Sequence, residues 1–157
     1  MNRIGFSKDI HVLIEGRKLI LGGIIVPFEK GEKAHSDGDV VFHAVAESIL
    51  GALALRDLGK HFPDNDMKYK DMNSELIVSY VVGLMKDKGY KVANIDVSIS
   101  LERPKLKDYI PLMVKNIARI LEVKEDVVSV KAGTNEGCGE VGRGEAVEAT
   151  SIVLLEK

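Results

Sequence analysis

The chain has 157 residues, with 22 basic and 24 acidic side chains, a net charge of -2 and one cysteine. This length suits one domain, residues 1–157, whose core buries roughly 70% of the unfolded chain's surface. The charge balance argues against a nucleic-acid partner, and the lone Cys138 excludes an internal disulfide. The N-terminus has no signal-peptide pattern, and no apolar run reaches the roughly 20 residues of a bilayer span. We therefore expect a cytoplasmic protein with no membrane partner.

The first part of the chain has the pattern of β-strands. Arg3–Ile14 predicts a strand, and Glu15–Lys18 predicts a hairpin turn that leads into Leu19–Leu21. Side chains two residues apart share one face of a strand, so Asp9 and His11 point the same way and can chelate one ion. The plainer alternative is an exposed acidic residue and histidine on an edge strand.

The segment Ala34–His43 places two histidines and two aspartates ahead of an apolar, helix-forming run. Ser36 as N-cap, with Asp39 three residues later, has the form of a capping box. The N–H groups at the start of a helix favour anions, so His35 and Ser36 can hold a phosphate there. His43 follows Asp39 by four residues on the same helical face. Taken alone, His43 is equally well explained as a hydrogen-bonded core histidine.

Two further helices are predicted in the middle of the chain. One follows Asn73, and the other spans Ile110 to Leu121 with Pro111 in its first turn. The segment Phe62–Asp66 between the first two helices is a turn-rich acidic loop, which is typical of a solvated linker.

The remaining segments predict strands. Ala93–Glu102 alternates apolar and polar residues, so one face packs on the core and the other faces solvent or a subunit interface. Val127–Ala132 and Ala146–Leu155 predict two closing strands. The glycine-rich connection Gly133–Gly144 contains a formal G-x-G-x-x-G. Because a strand pattern, not a helix, follows that motif, we reject a dinucleotide site and predict a flexible loop able to approach phosphates.

Asp9, His11 and His43, which we call the triad, are more informative together than singly. Two strand residues and one helix residue would supply three nitrogen or oxygen ligands and leave a fourth position open. Such an arrangement is typical of a catalytic zinc site and not of a closed structural one.

Several motifs together resemble one enzyme family. The motifs occur in the order and spacing of that family. They are Arg3–Gly5, Asp9–His11, Ala34–Asp39 followed by His43, Asp57–Gly59, Phe62–Asp64, Pro104–Lys105 and Gly142–Glu145. Over nearly its whole length the chain resembles the 2-C-methyl-D-erythritol 2,4-cyclodiphosphate synthase family of the non-mevalonate isoprenoid pathway. The resemblance implies an α+β fold: a two-layer sandwich of a mixed β-sheet with three main helices on one face. It also implies a homotrimer with active sites at subunit interfaces.

The implied activity is an intramolecular phosphoryl transfer by a metal-dependent phosphorus–oxygen lyase. In 4-diphosphocytidyl-2-C-methyl-D-erythritol 2-phosphate, the 2-phosphate attacks the β-phosphate of the CDP group. CMP leaves and a cyclic diphosphate closes. Such a reaction needs two anions brought together and their charge neutralised.

The resemblance also implies cofactors and roles for single residues. The triad would hold one Zn²⁺ per subunit, and Glu136 would hold Mg²⁺ or Mn²⁺ with the substrate phosphates. His35 and Thr134 would be the catalytic residues, acting on the pentacoordinate transition state. The implied substrate-binding residues are Asp9, Ile10, His11, His35, Ser36, Asp57, Leu58, Gly59, Phe62, Pro63, Asp64, Asn65, Asp66, Leu101, Glu102, Arg103, Pro104, Lys105, Leu106, Lys107, Gly133, Thr134, Asn135, Glu136, Glu140 and Arg143.

The chain departs from the family pattern at a few positions. Phe6–Lys8 and Glu140 replace residues that are commonly glycine or aromatic in the family, and we expect Lys8 and Glu140 to pair in a more polar axial cavity. Gly133 and Asn135 replace hydroxyl residues on either side of Thr134.

Two other functions compete with the cyclase. One is a metal-dependent phosphohydrolase, which composition does not separate from a cyclase. The other is a trimeric metal- or nucleotide-binding protein without turnover. The presence of His35, Thr134 and Glu136 argues against the second, because a binding protein has no need of a carboxylate for a second metal.

Overall fold

The computed structural model describes residues 1–157 and contains seven strands and five α-helices. Strands β1 to β7 are Arg3–Glu15, Leu19–Leu21, Ile24–Val26, Lys30–Glu32, Lys91–Ser100, Val128–Gly133 and Ala146–Glu156. Helices α1 to α5 are Val40–Ala52, Leu58–His61, Ser74–Asp87, Ile110–Leu121 and Gly139–Gly142. The predicted α+β class is therefore confirmed. None of these helices has both the length and the hydrophobicity that a bilayer crossing requires.

Five strands form one mixed sheet in the order β4-β1-β7-β5-β6. Strands β1 and β7 are antiparallel from the pair Arg3 and Leu155 to the pair Val12 and Ala146. Only β5 and β6 are parallel, and α4 lies in the connection between them, as a parallel pair requires. The alternation predicted for β5 is confirmed, since Ile95, Val97 and Ile99 are buried.

The hairpin predicted between β1 and β2 is wrong. Strand β2 pairs with β3 in a separate two-stranded sheet, and the end of β1 pairs with β4. The true hairpin turns at Gly22 and Gly23, whose φ angles are +59° and +77°. A two-residue turn that needs positive φ at both positions strongly favours glycine there, so the tight turn forms after Leu21 and not before Leu19.

The N-cap of α1 is Asp39. The capping-box pattern predicts Ser36 instead, and this prediction is wrong. The Asp39 carboxylate accepts hydrogen bonds from the backbone N–H groups of Phe42 at 3.0 Å, Gly22 at 2.9 Å and Gly23 at 2.7 Å. Gly38, which lies between the two candidate caps, has a φ of +84°. Because this backbone conformation is left-handed, the helix does not extend back to Ser36. Asp39 thereby joins the start of α1 to the β2–β3 hairpin.

Helix α1 packs directly on β1 and β7, and Gly5 allows this close approach. A Cβ atom at Gly5 would lie 1.8 Å from the backbone oxygen of Ser48 in α1. Helix α4 packs on β6, and α3 packs on α1 and α4. The core is one cluster of 37 buried apolar residues.

We expect Gly5→Ala to lower the free energy of unfolding by about 3 kcal/mol, because overpacking must move α1 away from the sheet. Gly83→Ala is the matched control: no atom lies within 4 Å of a Cβ built there, in the middle of α3. It should raise stability by about 0.5–1 kcal/mol through helix propensity. Urea unfolding of both variants checks this, and equal stabilities would contradict the packing argument.

The other face of β1 and β7 is exposed, and we call it the open sheet face. It carries large apolar side chains, namely Ile4, Phe6, Ile10, Val12 and Ile152. Lys8 also lies there, and its Nζ is 3.3 Å from Oε2 of Glu148 on the neighbouring strand. Within one chain Lys8 therefore pairs with Glu148, and its expected pairing with Glu140 in the axial cavity of a trimer stays a prediction.

Candidate functional site

The triad comes together between β1 and the first turn of α1. Nε2 of His11 lies 3.0 Å from Oδ2 of Asp9, and Nδ1 of His43 lies 3.5 Å from the same oxygen. One ligand atom from each residue lies within 4.8 Å of the others. The strand period that predicted a shared face for Asp9 and His11 is therefore confirmed.

Each histidine makes a hydrogen bond with the ring nitrogen that faces away from Asp9. Nδ1 of His11 donates to the backbone oxygen of Gly38 at 2.7 Å. Nε2 of His43 lies 3.0 Å from Oγ of Ser74. With the outer nitrogens protonated, the inner nitrogens, Nε2 of His11 and Nδ1 of His43, are the ones that a metal would bind, in place of the protons that they otherwise share with Asp9.

Burial and mutual contact shift the pKa values within the triad. Burial alone would raise the pKa of Asp9, but hydrogen bonds and charge from His11 and His43 outweigh it and lower that pKa. Burial would lower the pKa of His11, yet the hydrogen bond and charge of Asp9 raise it. Asp9 is thus held ionised, as a carboxylate metal ligand must be.

The donor set fits a divalent transition metal. Two imidazole nitrogens and one carboxylate oxygen converge, the outer nitrogen of each ring is hydrogen-bonded, and the fourth side opens into a cleft. Zinc accepts these ligands and keeps one position open at catalytic sites. The three residues are therefore a candidate metal site.

A cleft of about 350 Å³ opens above the triad. Besides the triad, it is lined by six of the residues implied by the resemblance, namely His35, Ser36, Leu58, Gly59, Phe62 and Asp64. The loop 62–66, whose composition is typical of a solvated linker, thus contributes Phe62 and Asp64 to the cleft. The other implied residues nearby, namely Asp57, Pro63, Asn65 and Asp66, are not part of its lining. Ile10 is not part of it either, since its side chain lies on the open sheet face.

A second cleft, of about 440 Å³, lies between the end of β6 and the segment after β5. Eight of the implied residues line it, namely Leu101, Glu102, Pro104, Lys105, Leu106, Lys107, Gly133 and Thr134. Arg103 instead lies 3.9 Å from Glu29, outside this cleft. The structure therefore divides the implied substrate residues between two separate clefts of one chain.

The loop after β6 brings no side chain to the triad within one chain. Asn135 donates its N–H to Glu102 at 3.2 Å, Glu136 and Glu140 are exposed, and Arg143 pairs with Glu145 at 3.1 Å. The β6 strand that precedes this loop is three positions from β1 in the sheet, roughly 14 Å at about 4.8 Å per position. His35 and Thr134 thus lie in different clefts.

Sequence reasoning missed Glu47, which lines the first cleft, and Ser74, which is buried behind His43. The Glu47 carboxylate accepts from Ser7 at 3.1 Å and from the N–H of Leu58 at 3.2 Å. The spacing of Glu47, four residues after His43, placed it on the same helical face and could have revealed it. Ser74 had no such signal, because it lies 31 residues from His43 and meets it only through packing of α3 on α1.

Two buried carboxyl groups support the segment next to the triad. Glu32 and Asp39 are both fully buried. Burial, together with the charge of Asp39, raises the pKa of Glu32 to about 9. Burial raises the pKa of Asp39 to about 6, although backbone N–H groups partly counter it. Glu32 is therefore protonated in the folded chain at neutral pH.

We expect the free energy of unfolding to fall as the pH rises from about 6 to about 9, a range above the raised pKa of Asp39. In that range the Glu32 side chain is ionised in the unfolded chain and keeps its proton in the folded chain, so Glu32 costs up to roughly 1.4 kcal/mol for each pH unit. Glu32→Gln removes this titration and should reduce the slope. Urea unfolding from pH 6 to pH 9 measures it, and an unchanged slope in Glu32→Gln would contradict the assignment.

Comparison with known proteins agrees with this geometry. The YgbB family model matches residues 2–156. The 2-C-methyl-D-erythritol 2,4-cyclodiphosphate synthase of Chloroherpeton thalassium is 52% identical over 155 residues, covering 99% of each chain. The bifunctional IspDF of Campylobacter jejuni superposes with a TM-score of 0.94 at 40% identity, over 99% of this chain and 42% of that one.

A further solved structure, IspF of Plasmodium falciparum in complex with CDP, superposes with a TM-score of 0.85 at 35% identity. The alignment covers 98% of this chain and 95% of that one. Both the sequence match and the fold extend over essentially the full length of the chain. The resemblance recognised in the motifs is thus confirmed, and the chain belongs to the YgbB family of 2-C-methyl-D-erythritol 2,4-cyclodiphosphate synthases.

Proposed function

We propose that this chain converts 4-diphosphocytidyl-2-C-methyl-D-erythritol 2-phosphate to 2-C-methyl-D-erythritol 2,4-cyclodiphosphate with release of CMP. The observation that carries the proposal is the triad, whose ligand atoms converge at the base of an open cleft in a chain of this family. An oxygen of the 2-phosphate attacks the β-phosphorus of the CDP group. The bond from that phosphorus to the oxygen bridging the α-phosphate breaks, and CMP departs with this oxygen.

The triad would hold Zn²⁺, and Glu136 would hold Mg²⁺ or Mn²⁺ with the substrate phosphates. When bound, these ions would neutralise the negative charge on the phosphate oxygens. His35 and Ser36, at the cleft above the triad, bind the phosphate and align it for attack. No protein nucleophile is required, since the attacking oxygen belongs to the substrate.

The second cleft takes the cytidine and its first phosphate. Its lining combines apolar Leu101, Leu106 and Ile110 with Lys105 and the hydroxyl of Thr134. An apolar wall suits a pyrimidine ring, and a lysine at the rim suits a phosphate. The structure of a relative in complex with CDP supports a ligand of this class. Thr134, together with His35, donates a hydrogen bond to the phosphoryl group as it is transferred.

The protein acts as a homotrimer whose active sites lie between subunits. Phe6 on the open sheet face is 61% exposed, with further apolar side chains around it, and such a patch marks an interface. Because His35 and Thr134 lie in different clefts of one chain, a neighbouring subunit can supply the second cleft. We assign residues 1–157 to one domain: a two-layer sandwich with α1, α3 and α4 on one face of the sheet.

The test is product analysis with purified protein, Zn²⁺, Mg²⁺ and the CDP-linked substrate. We expect CMP and the cyclic diphosphate in equal amounts. Free phosphate or CDP would instead indicate the metal-dependent phosphohydrolase, and bound zinc with CDP affinity but no CMP would indicate a binding protein.

The expected cytoplasmic location stays a prediction.

A further inference from the structure

We infer that Ser74, held by Asp37, is a positioning residue that fixes the ring of His43 for metal binding. The inference rests on the proposed metal site. It concerns the nitrogen of His43 that faces away from the triad. For Nδ1 to offer a lone pair to a metal, the single ring proton has to sit on Nε2 and needs an acceptor there.

Two hydroxyl groups lie within reach of Nε2. Oγ of Ser74 is 3.0 Å away and Oγ of Ser36 is 3.3 Å away. Ser74 is fully buried at the first residue of α3, whereas Ser36 lines the cleft. The shorter and more buried contact makes Ser74 the acceptor.

The contacts of Ser74 on its other side decide which way its proton points. Its hydroxyl donates to Oδ1 of Asp37, and its backbone N–H donates to Oδ2 of the same carboxylate at 3.0 Å. With its proton committed to Asp37, the Ser74 oxygen has only lone pairs left for His43. It can accept from Nε2–H but cannot donate to a bare Nε2, so the contact selects one tautomer.

Asp37 is itself fixed. Its Oδ1 accepts from the N–H of Asp39 at 3.1 Å, and its own N–H donates to the backbone oxygen of Met72 at 3.0 Å. The neighbouring Gly38 orients the other histidine of the triad through its backbone oxygen. The segment 36–39 therefore orients both imidazoles, one directly and one through Ser74. This leaves the Ser36 hydroxyl free to donate into the cleft.

The test is zinc affinity, measured by competition with a chelating indicator and zinc alone as the probe. We expect Ser74→Ala to bind zinc about 10- to 100-fold more weakly than the wild type, as for other groups that orient metal-bound histidines. Ser74→Thr keeps the hydroxyl and should restore most of the affinity. In the zinc-loaded wild type, NMR should detect a slowly exchanging Nε2–H proton on His43 that Ser74→Ala loses.

Ser48→Ala is the matched control. Ser48 is also a fully buried serine of this helical layer, but its hydroxyl donates to Val45 at 2.9 Å and meets Ser151 at 2.9 Å, away from the triad. Its zinc affinity should equal that of the wild type even if its thermal stability falls. This separates a loss of positioning from a loss of packing.

Equal zinc affinity in the wild type and Ser74→Ala would overturn the inference while leaving the proposed metal site intact. So would an unchanged Nε2–H signal in Ser74→Ala. If the wild type bound no zinc at all, the proposed metal site itself would fail, and the inference with it.

Discussion

His43→Ala should remove stoichiometric zinc and lower the rate of CMP release at least about a thousandfold, since charge stabilisation by a bound metal supplies several kcal/mol and each 1.4 kcal/mol is about tenfold. His43 supplies one of only three ligand atoms. The fold should persist, because α1 remains anchored by buried apolar side chains such as Phe42, Ile49 and Leu50. Metal analysis of the purified variant and a CMP assay check the two effects.

His61→Ala is the matched histidine control for zinc. Nε2 of His61 lies 3.0 Å from the backbone oxygen of Leu55, and the residue is not part of the triad. This variant should retain one zinc per chain. If His43→Ala retained as much zinc as His61→Ala, the ligand set would be wrong.

Phe6→Glu should give a monomer without cyclase activity. In the proposed trimer, each copy of Phe6 leaves water at the open sheet face. A carboxylate there would be buried, and the nearest cation, Lys8, is already paired with Glu148. The variant also separates the two clefts that the reaction needs together. Light scattering gives the mass, and the CMP assay gives the activity.

Leu76→Glu is the control for that experiment. Leu76 is exposed like Phe6, but it lies on α3, in the helical layer. Its substitution should leave the trimer and its activity in place. A Phe6→Glu protein that stayed trimeric, or a monomeric one that kept full activity, would contradict the proposed interface.

The sequence predicted the parts of the triad that short periods determine. Asp9 and His11 share a face by the two-residue period of a strand. The amphipathic patterns likewise predicted α3, α4 and the alternating faces of β5. These features depend only on neighbours in the chain. That His43 joins Asp9 and His11 depends instead on the packing of α1 on β1, and it was predicted from the ligand chemistry of the three residues and from the family resemblance.

The errors arose where backbone conformation or distant packing decides. Ser36 fits the capping pattern, but the left-handed backbone at Gly38 moves the cap to Asp39. The hairpin turn forms at Gly22 and Gly23, and β2 therefore pairs with β3 and not with the strand before Glu15–Lys18. The contact of Ser74 with His43 depends on the packing of α3 on α1. No local pattern contains that information.

Running the reaction in water enriched in ¹⁸O, followed by ³¹P NMR and mass spectrometry of the products, shows directly whether the nucleophile belongs to the substrate or is water. Attack by the substrate's own 2-phosphate takes no oxygen from water. We therefore expect CMP and the cyclic diphosphate in equal amounts, neither carrying ¹⁸O. Inorganic phosphate, CDP or a methylerythritol 2,4-bisphosphate labelled with ¹⁸O would mean that water is the nucleophile, and would contradict a cyclase.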